Sequence, residues 1–421
     1  MSRQISAPRG TRDLLPEETA AWSQVEAVAS DLARRYAFER IEIPLFERIE
    51  LFARGLGESS DAVEKEMFRV SGAKGSEEEA APWALRPEPT AGIVRAFIEH
   101  GMHVRPGPLR LTLIGSMFRY DRPQAGRFRQ FSQWDVEVIG DAGPAVDAEL
   151  IELGHRFYAE VGLRDVVAHV NSIGDAVCRP AYREVLIEYF TAHEERLSED
   201  SRRRLRVNPL RVLDDKDLAA DLAVGAPRAI DHLCDACREH FDGVRSLLDA
   251  LGVRYEVDHR LVRGLDYYTR TAFEFYVAGR EGQQQAIGAG GRYDGLVELL
   301  GGRPTPGIGF GLGLDRTVLA MQEQGVTPPA ASPLVAVIGA TDDQARRLRV
   351  AGTLREAGLA VRPDGSSRKL GKQLESAAKA GARWAVIIGE GEGEAVALKD
   401  LDSGEQRDDV ALEDVIAAVS E

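Results

Sequence analysis

Residues 107–140 constrain the fold of this 421-residue chain more than any other stretch. LRLTLIGSMFRY and FRQFSQWDVEVIG both read as strands, and only DRPQAGR separates them. A link that short returns the chain beside itself as an antiparallel hairpin, because a parallel crossover needs about a dozen residues or more. Further strand patterns follow in YEVDHRLVRGLDYYTRTAFEFYV (255–277), QQAIGAGGRYDG and GIGFGLGLDR, the last running into a helix, TVLAMQEQG. The main sheet is therefore expected to be largely antiparallel, in a fold of the α+β class.

Upstream, Trp22, Val25, Val28, Leu32 and Tyr36 recur at helical spacing within 17–36, and FERIEIPLFE then alternates like a strand that Pro44 stops. MFRV (67–70) and WALRPE (83–88) predict a hairpin across a polar, glycine-containing link. Thr90 is placed to cap a helix running through His100, with Ile93 and Phe97 on its buried side. From about 175 to 250 the pattern turns helical, with charged runs such as SEDSRRRLR, as an inserted segment would. GVTPPAASP (325–333) is a proline-rich break. Beyond it PLVAVIGA, DDQARRLRVAGTLREAG, LAVRP, RKLGKQLESAAKAGA and RWAVIIGE alternate strand with helix, the pattern of a small α/β domain. The expected division is 1–325, carrying the insertion, a linker at 326–333, and 334–421.

Three clusters point to chemistry. FRYDRPQAGRFRQF (118–131) gathers four arginines and one acid in a chain whose formal net charge is -15. If strand pairing continued through the loop, Arg119, Arg127 and Arg129 would share one face, and guanidinium forks suit a polyphosphate. An arginine-rich surface hairpin making ordinary salt bridges is the other reading. In LVRGLDYYTRTAFEF, Arg263 falls in an apolar strand pattern, so it must meet an anionic ligand or a carboxylate such as Asp266 or Glu274. In GIGFGLGLDR, glycines at 307, 309, 311 and 313 clear one strand face for close approach, and Arg316 follows where the next helix starts. Close packing of a central strand explains those glycines equally well. The spacings of a dinucleotide fingerprint and of a Walker loop are absent.

Composition excludes other classes. Roughly eighteen consecutive apolar residues, the minimum for a membrane span, occur nowhere, and MSRQISAPRGTRDLLP lacks the apolar core of a secretory signal. The chain is expected to be cytoplasmic, and Cys178, Cys234 and Cys237 fit a reducing compartment. Cys234 and Cys237 have metal-ligand spacing, but a structural zinc site wants four ligands and only Cys178 remains, so no metal site is expected there.

The three clusters, in this order, resemble the three motifs of class II aminoacyl-tRNA synthetases, specifically the histidyl-tRNA synthetase family, and the resemblance runs nearly end to end. PRGTRDLLP looks like the family's N-terminal signature, and the segment ending at Pro44 resembles its first, dimer-forming motif. FRYDRPQAGRFRQF is similar to the second motif and GIGFGLGLDRTVLAM to the third, while LVRGLDYYTRTAFEF and GAGGRYDG resemble sequences peculiar to the histidine enzymes. The resemblance implies a class II catalytic domain with a helical insertion, followed by an anticodon-binding α/β domain. It implies that Arg119 contacts the α-phosphate of ATP, that Arg127 and Arg316 hold its terminal phosphates, and that Phe131 stacks on adenine. Asp121 stands where the family usually has Glu, shortening the reach to the adenine amino group. Glu88, Thr90 and Gln133 are implied to grip the amino group of histidine, with Pro89 in place of the more usual glycine. Glu137 and Tyr268 are implied to address the imidazole with Tyr267 and Tyr293 nearby, and Arg263 is implied to be the catalytic electrophile. The resemblance further implies that Gln124 meets the end of the acceptor stem of tRNA(His), that magnesium assists on the pyrophosphate side, and that the protein is a homodimer. A non-catalytic regulatory subunit of ATP phosphoribosyltransferase, which shares the catalytic fold without the anticodon domain, is the alternative.

Overall fold

A computed structural model describes residues 5–57, 63, 65–72, 83–122, 124, 126–215, 217–262, 264, 266–279, 285–329, 333–339, 343–389 and 395–420. The chain divides into two compact units, Met1–Pro328 and Pro329–Glu421, each with its own apolar core.

Helix α1 (Thr19–Arg35) buries Trp22, Val25, Ala29, Leu32 and Ala33, a stripe at the spacing of a helix packed on one side. The expected strand at FERIEIPLFE is split. Only β1 (Glu39–Arg40) pairs with the main sheet, and β2 (Phe46–Arg48) joins a separate one. Pro44 between them has no N–H to continue either ladder. Helix α2 (Ile49–Leu56) follows, and β3 (Arg69–Val70) pairs antiparallel with β4 (Trp83–Leu85), as the sequence predicts.

Helix α3 (Thr90–Glu99) corrects one expectation. Its cap position is Pro89, and Thr90 does not cap. The side chain of Glu88 does so instead, accepting the Thr90 and Ala91 N–H groups at 2.8 and 3.0 Å. A carboxylate satisfies those orphan donors and meets the positive end of the helix dipole.

Strands β5 (Leu109–Phe118) and β6 (Gln130–Ile139) form the predicted hairpin in continuous register from Leu109 opposite Ile139 to Phe118 opposite Gln130. Then come α4 (Pro144–Glu160) and β7 (Val166–Ser172). The chain next leaves the sheet for α5 (Arg179–Thr191), α6 (Glu199–Val207), α7 (Ala220–Gly225) and α8 (Asp235–Leu251), the helical insertion. It returns with β8 (Tyr255–Val257), β9 (Thr269–Val277), β10 (Gly288–Arg292), α9 (Leu296–Leu299), β11 (Gly307–Gly313) and α10 (Leu314–Glu323). Among the described residues of 258–268 there is no strand, so the pattern around Arg263 is loop; Arg263 itself lies outside the described residues.

The main sheet runs β1-β5-β6-β11-β10-β9-β7-β8. Only the pairs β1–β5 and β7–β8 are parallel, one at each edge. Period-two alternation divides β6 cleanly: Trp134, Val136 and Val138 face a core shared with α1, α4, α8 and α10, which puts Gln133, Asp135 and Glu137 on the opposite face. An ionic network ties that helical layer to the sheet. Arg292 of β10, fully buried, donates to Asp147 of α4 at 3.1 Å, and Asp147 also meets His240 of α8 at 2.8 Å. Burial pushes the Asp147 carboxyl up, but the His240 and Arg292 contacts outweigh it and hold the group below its ordinary range.

The second unit has a sheet of order β13-β12-β14-β15-β16. It consists of β12 (Leu334–Gly339), α11 (Gln344–Glu356), β13 (Ala360–Pro363), α12 (Leu370–Lys379), β14 (Ala382–Ile388), β15 (Val396–Asp400), β16 (Gln406–Val410) and α13 (Leu412–Ser420). The first three strands are parallel through their crossover helices. Sequence reasoning ended at RWAVIIGE and missed the last two strands and helix. β16 reads QRDDV, almost wholly exposed and charged, and offers no apolar alternation to detect.

Candidate active site

The face of β6 opposite the helices carries two deeply buried acids, Asp135 and Glu137. Glu137 accepts a hydrogen bond from Thr90 Oγ1 at 2.5 Å on one oxygen and from Tyr293 Oη at 2.5 Å on the other. Burial pushes its carboxyl up to about 8, with Glu88 pushing the same way and the two hydroxyls opposing. At neutral pH Glu137 is therefore mostly a neutral acid. Asp135 and Glu88 are likewise raised by burial, and Glu137 and Glu88 add to the rise at Asp135. Asp135 is not among the residues named from sequence, although it stands midway between Gln133 and Glu137 on the same strand face.

Tyr267 and Tyr268 are packed together with ring centres 4.6 Å apart, and Tyr267 meets Tyr293 edge-on at 5.9 Å. The pocket walls named from sequence thus come together around Glu137. Two buried oxygens, Gln133 Oε1 and Asp135 Oδ2, have no partner among the described residues. Both are acceptors on one strand face, which suits a donor-rich guest such as an ammonium group.

The alternate glycines of β11 have a specific use. They stand beside β6 with Gly309 opposite Glu137 and Gly311 opposite Asp135. A Cβ at Gly309 would lie 1.8 Å from Glu137 Oε2, and one at Gly307 would lie 2.2 Å from the Tyr293 ring. The bare face lets the pocket's own side chains lie flat across the neighbouring strand. Gly309→Ala is expected to destabilise the fold by about 1–3 kcal/mol through overpacking and to displace Glu137. Urea unfolding of the variant checks the first effect, and a fall in the raised apparent pKa of Glu137 the second.

The arginines converge less completely than the hairpin pattern suggests. Arg119 Nε donates to Pro87 O at 2.9 Å, and its guanidinium lies 5.4 Å from the Phe131 ring centre. Arg127 pairs with Asp121 at 2.9 Å, so the acid expected to reach adenine is engaged by its own loop. Arg316, at the start of α10, donates to Ala286 O. Its guanidinium is lowered to about 10, first by burial and then by the nearby charges of Arg127 and Arg119. Three cations from two distant segments therefore share one region. The hairpin turn also sits directly on α10, where a Cβ at Gly126 would come within 3.0 Å of Leu319.

Arg129 is a correction. Its guanidinium stacks 3.6 Å from the Tyr120 ring and donates to Arg9 O, away from the cluster. The cause is the N-terminal segment, which runs beside the hairpin and takes the Arg129 N–H on Gly10 O at 2.7 Å. Arg12 of the same segment lies over Phe128 at 4.5 Å and reaches Asp315, whose other oxygen accepts the Ser132 N–H at 2.9 Å. PRGTRDLLP thus straps the second motif to the third. Gln124 is exposed at the hairpin tip, where its backbone bridges to Arg127.

Comparison with known proteins identifies the family. The family model described as "Histidyl-tRNA synthetase" matches residues 10–317, and that described as "Anticodon binding domain" matches residues 334–421. A curated "Histidine--tRNA ligase" from Pelotomaculum thermopropionicum is 48% identical over 406 residues, covering 95% of this chain and 94% of the relative. One from Mycobacterium bovis is 46% identical over 422 residues, covering 99% and 97%. The crystal structure of apo Staphylococcus aureus histidyl-tRNA synthetase superposes with a TM-score of 0.80 at 34% identity, covering 99% of this chain and 100% of that one. A Bacillus halodurans structure titled "ATP phosphoribosyltransferase regulatory subunit/histidyl-tRNA synthetase" has a TM-score of 0.63 at 21% identity, a likeness of fold alone. A buried acid pocket beside a cluster of three arginines, with relatives this close over nearly the whole length, leaves one assignment: the chain belongs to the histidyl-tRNA synthetase family.

Proposed function

We propose that this chain activates L-histidine with ATP and transfers it to the 3' end of tRNA(His). The observation that carries the reading is the juxtaposition of Arg119, Arg127 and Arg316 with the Glu137 pocket. Mutually repelling guanidiniums with a single paired acid among them are relieved by a bound polyphosphate.

In the first step a histidine carboxylate oxygen attacks the α-phosphorus of ATP, forming histidyl-adenylate as the bond to pyrophosphate breaks. Arg119 and Arg263 stabilise charge on the α-phosphoryl oxygens, Arg127 and Arg316 hold the terminal phosphates, and Phe131 carries the adenine ring. Magnesium bound with the triphosphate would offset charge on the pyrophosphate side, while Glu274 supports the protonated form of Arg316. Gln133, Glu88 and Thr90 receive the histidine ammonium, and Glu137, Tyr268, Tyr267 and Tyr293 enclose the imidazole. In the second step a hydroxyl of the terminal ribose attacks the acyl carbon and AMP leaves, with Gln124 beside the acceptor end. The cytoplasm fits three free cysteines. A homodimer fits the exposed Leu45 and Phe46 just beyond Pro44.

The test is ATP–pyrophosphate exchange, expected with histidine and with no other amino acid. Exchange driven by a different amino acid, or none from folded protein, rejects the reading. Removing residues 329–421 is expected to spare exchange and to lower the rate of tRNA charging by about 10²-fold or more, a loss of binding energy that only the tRNA experiences. Unchanged charging counts against an anticodon role for that unit. The regulatory-subunit alternative predicts no exchange at all.

A further inference from the structure

The helical insertion leaves the sheet just after β7 and returns through α8, and both ends of it carry ligating side chains. Asp175 and Cys178 stand at its start, Cys234 and Cys237 at its end. The carboxylate oxygen of Asp175 and the three sulfurs all lie within 4.8 Å of one another. The spacing is Asp-x-x-Cys followed by Cys-x-x-Cys, two pairs of the kind that grip a tetrahedral ion from two directions. Counting thiols alone finds three ligands. The fold supplies the fourth as a carboxylate.

Local structure serves this arrangement. Gly174 has φ +69°, and a Cβ there would stand 2.7 Å from Cys178 Sγ, so this turn brings the thiol back over the start of the segment only because the residue is glycine. Cys234 occupies the cap position of α8 and Cys237 its first turn, which sets both sulfurs on one end of the helix. Asp175 divides its two oxygens. Oδ1 lies 3.6 Å from Cys178 Sγ and accepts the Val177 N–H at 3.0 Å, while Oδ2 pairs with Arg270 at 3.4 Å. A carboxylate held from behind by a guanidinium presents one oxygen forward, the usual way an outer partner orients a metal ligand. Cys178 and Cys237 are buried, and Cys234 and Asp175 are partly so.

We propose that Asp175, Cys178, Cys234 and Cys237 form a structural site for one thiolate-preferring divalent ion, zinc, which closes the root of the helical insertion. Zinc holds sulfur at about 2.3 Å, which in a tetrahedron sets ligand atoms about 3.8 Å apart, so only the wider pairs, none beyond 4.8 Å, need to close in, by about 1 Å at most. The ion joins residues 175–178 to 234–237 and makes the intervening helices a closed loop on the sheet. It also fixes Arg179, the residue after Cys178, whose guanidinium donates to the carbonyls of Gly174 at 3.0 Å and Tyr268 at 2.6 Å. Through that contact the ion steadies the backbone behind the imidazole end of the pocket.

The full-length chain, produced in zinc-supplemented medium and purified without chelator under reducing conditions, is expected to contain about one zinc per chain by atomic emission. After removal of zinc, cobalt(II) is expected to give the intense thiolate-to-metal charge-transfer band of a tetrahedral three-sulfur site. Asp175→Asn retains all three thiols and is expected to weaken zinc binding about 10- to 100-fold, and Cys237→Ser to diminish the cobalt band by about a third or more. Because Cys237→Ser can also unfold the insertion, far-ultraviolet dichroism accompanies it, and the cobalt titration of the unsubstituted chain stands independently. Zinc below about one-tenth per chain together with no charge-transfer band overturns the proposal. Unchanged zinc affinity in Asp175→Asn overturns the four-ligand set.

Discussion

Arg119→Ala is expected to lower histidine-dependent pyrophosphate exchange by about 10²- to 10³-fold, equivalent to roughly 3–4 kcal/mol of transition-state stabilisation. The argument is one of position and of charge. Arg119 is held in place before any substrate arrives, by Pro87 O on one side and the Phe131 ring on the other, so no side-chain ordering is left to the moment of reaction. Charge on the α-phosphoryl oxygens grows as the carboxylate attacks, and a fixed guanidinium gains most there. Both kcat and kcat/KM should therefore fall together; a rise in the ATP KM with kcat unchanged would assign Arg119 to ground-state binding only. Stability should change little. Removing Arg119 relieves its repulsion with Arg316, at the cost of a contact to one carbonyl. Arg263→Ala should give a comparable loss of exchange with the fold intact.

Glu137→Gln is expected to trade function for stability. The amide keeps the shape of the acid and can still meet Thr90 Oγ1 and Tyr293 Oη, but it cannot release a proton to an imidazole and so pair with it as a carboxylate. Histidine kcat/KM should fall by about 10²-fold, roughly 3 kcal/mol, as a buried polar pocket loses its match to the ring nitrogens. The stability effect follows from the sign of the shift. Because burial raises the folded pKa to about 8, above the unfolded carboxylate range, the native chain binds the extra proton between those values. Wild-type stability therefore declines as pH rises from about 4.5 to about 8, while the amide escapes this contribution. Thermal midpoints of the two proteins should diverge in the variant's favour across that window and run parallel above it. Parallel curves throughout would mean that Glu137 is already ionised in the native state.

Much of this was legible before any coordinates. Strand alternation around a short loop announced the β5–β6 hairpin, and the helical stripe of Trp22, Val25 and Leu32 announced α1, because both depend on neighbours within a few positions. The motif residues were legible for the same reason, since Arg119 to Phe131 and Gly307 to Arg316 are contiguous runs. The failures share a cause as well. Thr90 has a capping hydroxyl, yet Glu88 caps α3 while Thr90 turns to Glu137, forty-seven residues away. Arg129 fits the arginine pattern, yet the N-terminal segment draws it off onto Tyr120.

What the sequence by itself determined was periodicity, punctuation and the inventory of reactive groups, because these are properties of a residue and its immediate neighbours. Only the tertiary structure decided which groups meet and in what protonation state. Glu137 is a weak acid because burial keeps water from it and Glu88 adds its charge, against the hydrogen bonds from Thr90 and Tyr293, and Asp175 becomes a partner for three thiols because α8 folds back to the end of β7. Dielectric burial and through-space charge depend on distances that chain separation does not encode, so they appear only when the sheet is assembled.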